Sequence, residues 1–101
     1  MSNTVVIQEY SFSELLERSS KDPVKMGIMN FWARHRNDRY SLSVIYFALD
    51  FNHYRIKRAL DELVEDGLLT TWNESGLCYY SLIHDERKRR ILVDFINRKS
   101  E

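Results

Sequence analysis

The sequence predicts a mainly α-helical chain with one small β-hairpin, an α+β class, and two observations predict it. Apolar residues recur at helical spacing through Ser41 to Leu69, SLSVIYFALDFNHYRIKRALDELVEDGLL, with one break in the middle. The segment that follows, TTWNESGLCYYSL, exchanges that spacing for strand-forming residues around an Asn and a Gly, which is hairpin chemistry. Only 3 glycines and 1 proline in 101 residues leave few loops, which favours helices elsewhere.

The central stretch reads as helix, tight turn, longer helix. Leu42, Ile45, Tyr46 and Leu49 make one apolar face. Asp50 and Phe51 break the pattern, and Asn52 is a good N-cap for the second helix. Ile56, Ala59, Leu60, Leu63 and Val64 form its buried stripe. Gly67 stands where a helix stop is expected, because glycine takes the left-handed conformation cheaply.

The rest of the chain follows from local signals. Met1 to Tyr10 begins polar, and Val5, Val6 and Ile7 suit a short strand, an arm on a neighbour or a frayed terminus. Ser11-Phe12-Ser13-Glu14 fits a capping box, so a short helix runs from there to about Ser19. Asp22-Pro23 starts another, running to about Arg36. On it Val24, Ile28, Phe31, Trp32 and His35 share one face, and Met26, Met29 and Ala33 share the opposite one. A helix apolar on both sides is buried on both sides, by this chain or by a partner subunit. His35, on an apolar face, reads as a core histidine. Arg34, Arg36 and Arg39 flank the next loop, Tyr40 suits a short strand added to the hairpin sheet, and Ser41 or Ser43 caps the helix after it. The hairpin runs Leu69 to Trp72, turns at Asn73-Glu74-Ser75-Gly76, and returns through Leu77 to Leu82. Asp85 caps a last helix to about Lys99, with Ile91, Leu92, Phe95 and Ile96 as its stripe.

A length of 101 residues with 44% hydrophobic and 13% aromatic content suits a single domain, 1–101, with one core. No internal repeat, low-complexity tract or linker divides it. No apolar run approaches the roughly 18 residues of a membrane span, and no leader is read at the start. The 1 cysteine, Cys78, cannot form an internal disulfide, so a reducing cytoplasm is expected. His35, His53, His84 and Cys78 lack the spacing of a metal site, and neither a Gly-rich phosphate loop nor a nucleophile elbow occurs. No metal, no cofactor and no enzymatic activity are expected.

Net charge is zero, so any nucleic-acid affinity must come from a local field. At about 100° per residue, Tyr54, Arg55, Arg58, Asp61, Glu62 and Glu65 point outward on the second helix of the central stretch, with Lys57 on the margin. Its charges are segregated. His53, Arg55, Lys57 and Arg58 lie in the N-terminal half, and Asp61, Glu62, Glu65 and Asp66 in the C-terminal half. That order opposes the helix dipole by a few tenths of a kcal/mol per charge, roughly, and an anionic partner would account for it. The alternative is plain surface pairing, Lys57 with Asp61 and Arg58 with Glu62. In helix-turn-helix docking the N-terminal residues of the second helix reach the base edges. Arg55 and Arg58 are the candidates for guanine. Asn52, His53, Tyr54 and Lys57 are candidates for phosphate, sugar or marginal base contact, and Ser41 and Ser43 for phosphate unless they only cap. The hairpin brings no Lys or Arg of its own, and Trp72, Tyr79 and Tyr80 read as cover for sheet and core. Arg87-Lys88-Arg89-Arg90 is the strongest basic run, either solvated or flanking phosphate.

From Tyr40 to Leu82 the chain resembles the winged helix-turn-helix superfamily, as in MarR-like and PadR-like regulators. The apolar ladder Leu42, Ile45, Leu49, Phe51, Ile56, Ala59, Leu60, Leu63, the Leu-x-x-x-Gly-Leu-Leu run from Leu63 to Leu69, and the hairpin carry the likeness. The short form with an acidic wing is also similar to small DsrD-type winged helix proteins. The sequence departs from the older helix-turn-helix pattern at Tyr46, where a small residue is usual, and at Asp50, where glycine is usual. The resemblance implies a homodimer on a pseudo-palindromic double-stranded DNA site. The last helix (Ile91, Leu92, Phe95, Ile96) would then be the dimer surface, with the Met26, Met29, Ala33 face as second candidate. The expected function is a sequence-specific DNA-binding transcriptional regulator. The alternative is a winged helix used for protein–protein interaction without DNA, docking around Trp72, Glu74 and Tyr79.

Overall fold

The chain runs α1 (Asn3–Ser19), α2 (Pro23–Arg34), β1 (Tyr40–Ser41), α3 (Leu42–Ala48), α4 (His53–Glu65), β2 (Leu69–Glu74), β3 (Leu77–Leu82), α5 (Glu86–Lys99). These elements come from a computed structural model, which describes the backbone of residues 3–99 and the side chains of residues 11–99. The three strands form one antiparallel sheet in the order β1-β3-β2. A helix-turn-helix, α3 and α4, followed by a hairpin whose sheet borrows a strand from upstream is the winged helix arrangement.

Local chemistry fixes most boundaries. Asp22 starts α2 by accepting from the Val24 and Lys25 backbone N–H groups, with Pro23 in the first turn. Asn52 Oδ1 accepts from Tyr54 N at 2.8 Å and Arg55 N at 3.3 Å, and so opens α4. Gly67 closes it at φ 82°, with Leu68 N donating to Leu63 O at 2.9 Å and Gly67 N to Val64 O at 3.0 Å. That pair of bonds is a Schellman motif, which needs the left-handed residue glycine supplies. Asp85 accepts from Arg87 N and Lys88 N to open α5.

The core lies where α2 crosses α4 and α5 and the sheet closes one side. Leu16, Ile28, Trp32, Ile45, Ile56, Leu60 and Leu63 are fully buried there, with Leu82, Leu92 and Ile96 all but so. The pleat sorts the sheet: Leu69, Tyr80 and Leu82 face this core, and Trp72 and Tyr79 pair across the opposite face. Among the described residues no helix is long and apolar enough to cross a membrane.

Several expectations change. The helix expected from Ser11 starts upstream at Asn3, so the capping-box residues lie inside α1. A strand at Val5 to Ile7 is replaced by that helix. Any packing of those three side chains lies outside the described residues. His35 is not a core residue. It is the exposed C-cap of α2, and its ring lies 5.0 Å from Phe31 and 5.7 Å from Tyr40 between centroids. Because α2 stops at Arg34, the periodicity that placed His35 inward has already ended. Ser41 takes the N-cap position of α3 but makes no cap hydrogen bond; its hydroxyl lies 3.4 Å from that of Ser43. The hairpin turn is tighter than expected. Asn73 and Glu74 belong to β2, and only Ser75 and Gly76, at φ 52° and 80°, make the turn. Two positive φ values in a two-residue loop match the strand twist.

The expected dimer surfaces are largely internal. Leu92, Phe95 and Ile96 are 2%, 6% and 1% exposed, buried against α1 and α2 of the same chain, and only Ile91 is half-exposed. Met29 is buried, and Met26 and Ala33 pack against the same core. Both faces of α2 are therefore covered by this chain.

Candidate nucleic-acid interface

Helix α4 sits on the core through Ile56, Ala59, Leu60 and Leu63, at most 4% exposed, so its opposite face is turned to solvent. His53, Tyr54, Arg55 and Arg58 are exposed on it, Asn52 is exposed at the cap, and Lys57 is half-buried at the edge. Of the outward set expected from periodicity, Tyr54, Arg55, Arg58, Asp61 and Glu65 are exposed, while Glu62 is half-exposed beside α2. Ser43 is exposed and Ser41 half-buried at the start of α3, on the approach to the same turn.

The electrostatics along α4 are graded. Lys57 Nζ meets Asp61 Oδ1 at 2.7 Å, and this hydrogen bond raises the Lys57 pKa. Arg58 Nε meets Glu62 Oε2 at 3.2 Å. Glu62 also receives Lys25 Nζ from α2 at 2.8 Å. The Lys25 hydrogen bond and charge, with Arg58 adding to them, hold the Glu62 carboxyl below its ordinary range. Both surface pairs foreseen as the alternative to DNA contact therefore form. Arg55 differs: among the described residues no carboxylate pairs with it, and its guanidinium lies 5.8 Å from the Phe51 ring centroid. Arg55 and Arg58 share a hollow of about 280 Å³ with Tyr54, Asp22 and Glu62.

The turn before α4 is built by aromatics, which explains both departures from the older pattern. The Tyr46 ring stacks on His53 at 4.1 Å between centroids with 4° between planes. A small residue at position 46 would give up that contact across the turn. Asp50 needs no glycine, because the positive-φ residues among those described are Gly67, Ser75 and Gly76 alone. Phe51 packs toward α2, where a Cβ on Gly27 would come within 3.0 Å of its Cε2. Glycine at that helix position lets the turn approach α2 closely.

Three features escaped the sequence reading. The first is Arg39. Its guanidinium lies over the outer face of the sheet, 5.6 Å from the Trp72 ring and 5.3 Å from the Tyr79 ring, and its Nη2 meets Glu74 Oε2 at 2.9 Å. The second is Arg89, in the basic run of α5. Its Nε donates to Ile83 O at 2.6 Å, Nη1 to Asn37 Oδ1 at 3.2 Å and Nη2 to Leu82 O at 3.4 Å. Lys88 of the same run lies 5.7 Å from the Phe12 ring. Arg89 and Lys88 thus serve the fold. The third is Phe47, 95% exposed on α3, with Val44 three residues earlier on the same helix at 44%. Its position off the Leu42, Ile45, Tyr46, Leu49 face was the available signal. Among the described residues no group of three or more His, Cys, Asp or Glu side chains is placed to hold a metal ion.

The geometry defines a winged helix-turn-helix with a basic first half on its second motif helix. Solved structures carry the same fold. The transcriptional regulator HlyU from Vibrio vulnificus superposes with a TM-score of 0.70 at 19% identity, over 98% of each chain. HlyU from Vibrio cholerae gives 0.69 at 18% identity, over 89% of this chain and 92% of that one. The transcriptional repressor PagR of Bacillus anthracis gives 0.67 at 15% identity, over 88% and 98%. No family model matches the sequence, and no curated protein matches it significantly.

Proposed function

We propose that this chain is a sequence-specific double-stranded DNA-binding protein, a transcriptional regulator that reads the major groove with α4 and has no catalytic role. The observation that carries the reading is the exposed cationic N-terminal half of α4, presented on a winged helix scaffold. Arg55, unneutralised by any described carboxylate, is the principal base contact, and Arg58 is the second, once it leaves Glu62. Asn52, His53, Tyr54, Lys57, Ser41 and Ser43 supply phosphate, sugar or marginal base contacts. The structural likeness to proteins named as a transcriptional regulator and a transcriptional repressor supports the reading. The chain acts in the cytoplasm as one winged helix unit over 1–101.

It works as a homodimer through the C-terminal helix, by the outer side of α5. There Ile91, Asp94, Asn97 and Arg98 line a shallow hollow, in place of the buried Leu92, Phe95 and Ile96. Such a dimer sets its two α4 helices roughly 34 Å apart, one DNA turn.

The test is selection from a random duplex pool at two salt concentrations, for the wild type and for Arg55→Ala/Arg58→Ala. Binding that weakens steeply with salt and is lost in the variant supports the model, and the enriched sequences give the operator. A folded wild type that binds nothing at low salt overturns it. A second reading, a protein-docking module, is favoured by one observation: the solvent-exposed ring of Phe47 with Val44 on α3. In that case Phe47→Ser abolishes partner capture and leaves the Arg55/Arg58 variant indistinguishable from wild type.

A further inference from the structure

The hairpin is poorly equipped to approach DNA by itself. Between Thr70 and Leu82 its single charged residue is Glu74, next to the Ser75-Gly76 turn, so the hairpin alone offers phosphate a negative tip. The structure shows what offsets it. Arg39 precedes β1, and β1 pairs with β3 in the register Tyr40↔Tyr80 and Ser41↔Tyr79. That pairing brings the chain just ahead of β1 alongside the hairpin. The Arg39 side chain then runs over Tyr79 and Trp72 and ends on Glu74. Its side chain is 47% exposed and that of Glu74 58%.

We propose that Arg39 is the wing's contact to the DNA backbone, supplied from outside the hairpin, and that Glu74 holds it in a self-neutralised state that DNA competes for. This rests on the DNA-binding reading above. Three physical points carry it. The guanidinium lies over two rings with its Nη2 on an exposed carboxylate, and the N–H groups that meet a carboxylate grip a phosphate in the same way. The Trp72 and Tyr79 rings on one side and Glu74 at its end hold the side chain in place, so less side-chain freedom is lost when a phosphate arrives. An ion pair this exposed is weak and salt-screened, so the high local charge of a duplex can displace Glu74 from Arg39. The Arg39–Glu74 pair thereby sets how strongly the wing is attracted, without changing what α4 reads.

The experiment measures binding to a mixed-sequence duplex DNA across a salt series. Four proteins are compared: wild type, Arg39→Ala, Glu74→Gln and Arg55→Ala/Arg58→Ala. One phosphate contact weakens binding about threefold between about 50 and 200 mM salt. Arg39→Ala is expected to bind several-fold less tightly at low salt, with a log–log salt slope shallower by about 0.9. Glu74→Gln is expected to bind more tightly than wild type with no loss of slope. A slope change confined to Arg39→Ala, with opposite signs from the two halves of the ion pair, is not produced by an Arg39 that only holds the hairpin, since both variants break that pair. The proposal alone is overturned if Arg39→Ala keeps wild-type affinity and slope while Arg55→Ala/Arg58→Ala loses binding. It is equally overturned if Glu74→Gln weakens binding as Arg39→Ala does. A folded wild type that binds no duplex at low salt overturns the DNA-binding reading and this proposal together.

Discussion

Helix α4 and the hairpin β2–β3 are neighbours in sequence, yet their charged surfaces are assembled in different ways. The helix carries a counter-charge for two of its own cations: Lys57 meets Asp61 and Arg58 meets Glu62, each one turn along, with Lys25 of α2 also on Glu62. The hairpin carries Glu74 and takes its counter-charge from Arg39, ahead of another strand. A helix folds its sequence neighbours onto one face, so its surface is read from a short window. A sheet brings distant segments side by side, so its surface belongs to whichever strands happen to pair. Charge counted along the hairpin alone therefore misjudges the charge the hairpin presents.

The two regions also differ in what holds them, and four substitutions probe the difference. The largest effect is expected from Leu60→Ala. Leu60 is fully buried beneath α4, and removing its side chain should cost about 2–5 kcal/mol in urea unfolding. The matching change in the hairpin, Leu77→Ala, starts from a side chain 54% exposed and should stay within about 0.5 kcal/mol. Equal losses at the two sites would break the contrast between a helix anchored in the core and a hairpin projecting from it. Next comes Asn52→Ala, which removes the acceptor for Tyr54 N and Arg55 N. The expected loss is about 1 kcal/mol, read by the urea midpoint. An unchanged midpoint would mean that packing alone starts α4.

The smallest effect concerns Glu62. Its folded pKa is lowered by Lys25 and then Arg58, so the stability it adds is complete at neutral pH and is lost as pH falls through that lowered value. The melting temperature of wild type should exceed that of Glu62→Gln near neutrality, and the gap should close as the solution is acidified past the carboxylate range. A gap that persists in acid would show that Glu62 acts through packing instead of charge.

The same division governs what the sequence disclosed. The buried stripe of α4, its cap, its glycine stop and the strands of the hairpin were all legible, because each rests on contacts a few residues apart. The start of α1 was not, since the Ser11-Phe12-Ser13-Glu14 signal that marks a helix start lies inside a helix already begun at Asn3. His35 was misread because helical periodicity was carried beyond the true end of α2 at Arg34. Ser41 or Ser43 was expected to cap α3; Ser41 holds the cap position without a cap hydrogen bond, its hydroxyl 3.4 Å from that of Ser43. Of the candidate site, the exposure of Tyr54, Arg55 and Arg58 was foreseen correctly. The placement of Arg39 on the wing was not, and neither was the structural use of Arg89, whose Asn37 partner lies 52 residues away.

Arg89 has a mechanical consequence. One guanidinium joins the first turns of α5 to the carbonyls at the end of β3 and to Asn37, which lies two residues before Arg39. The C-terminal helix, the returning strand and the segment that delivers the wing's cation are thus pinned at a single point. A turn or slide of α5 has two courses there: it severs these bonds, or it carries the Asn37–Arg39 segment along. As long as these bonds hold, whatever seats or unseats the last helix pulls on the wing.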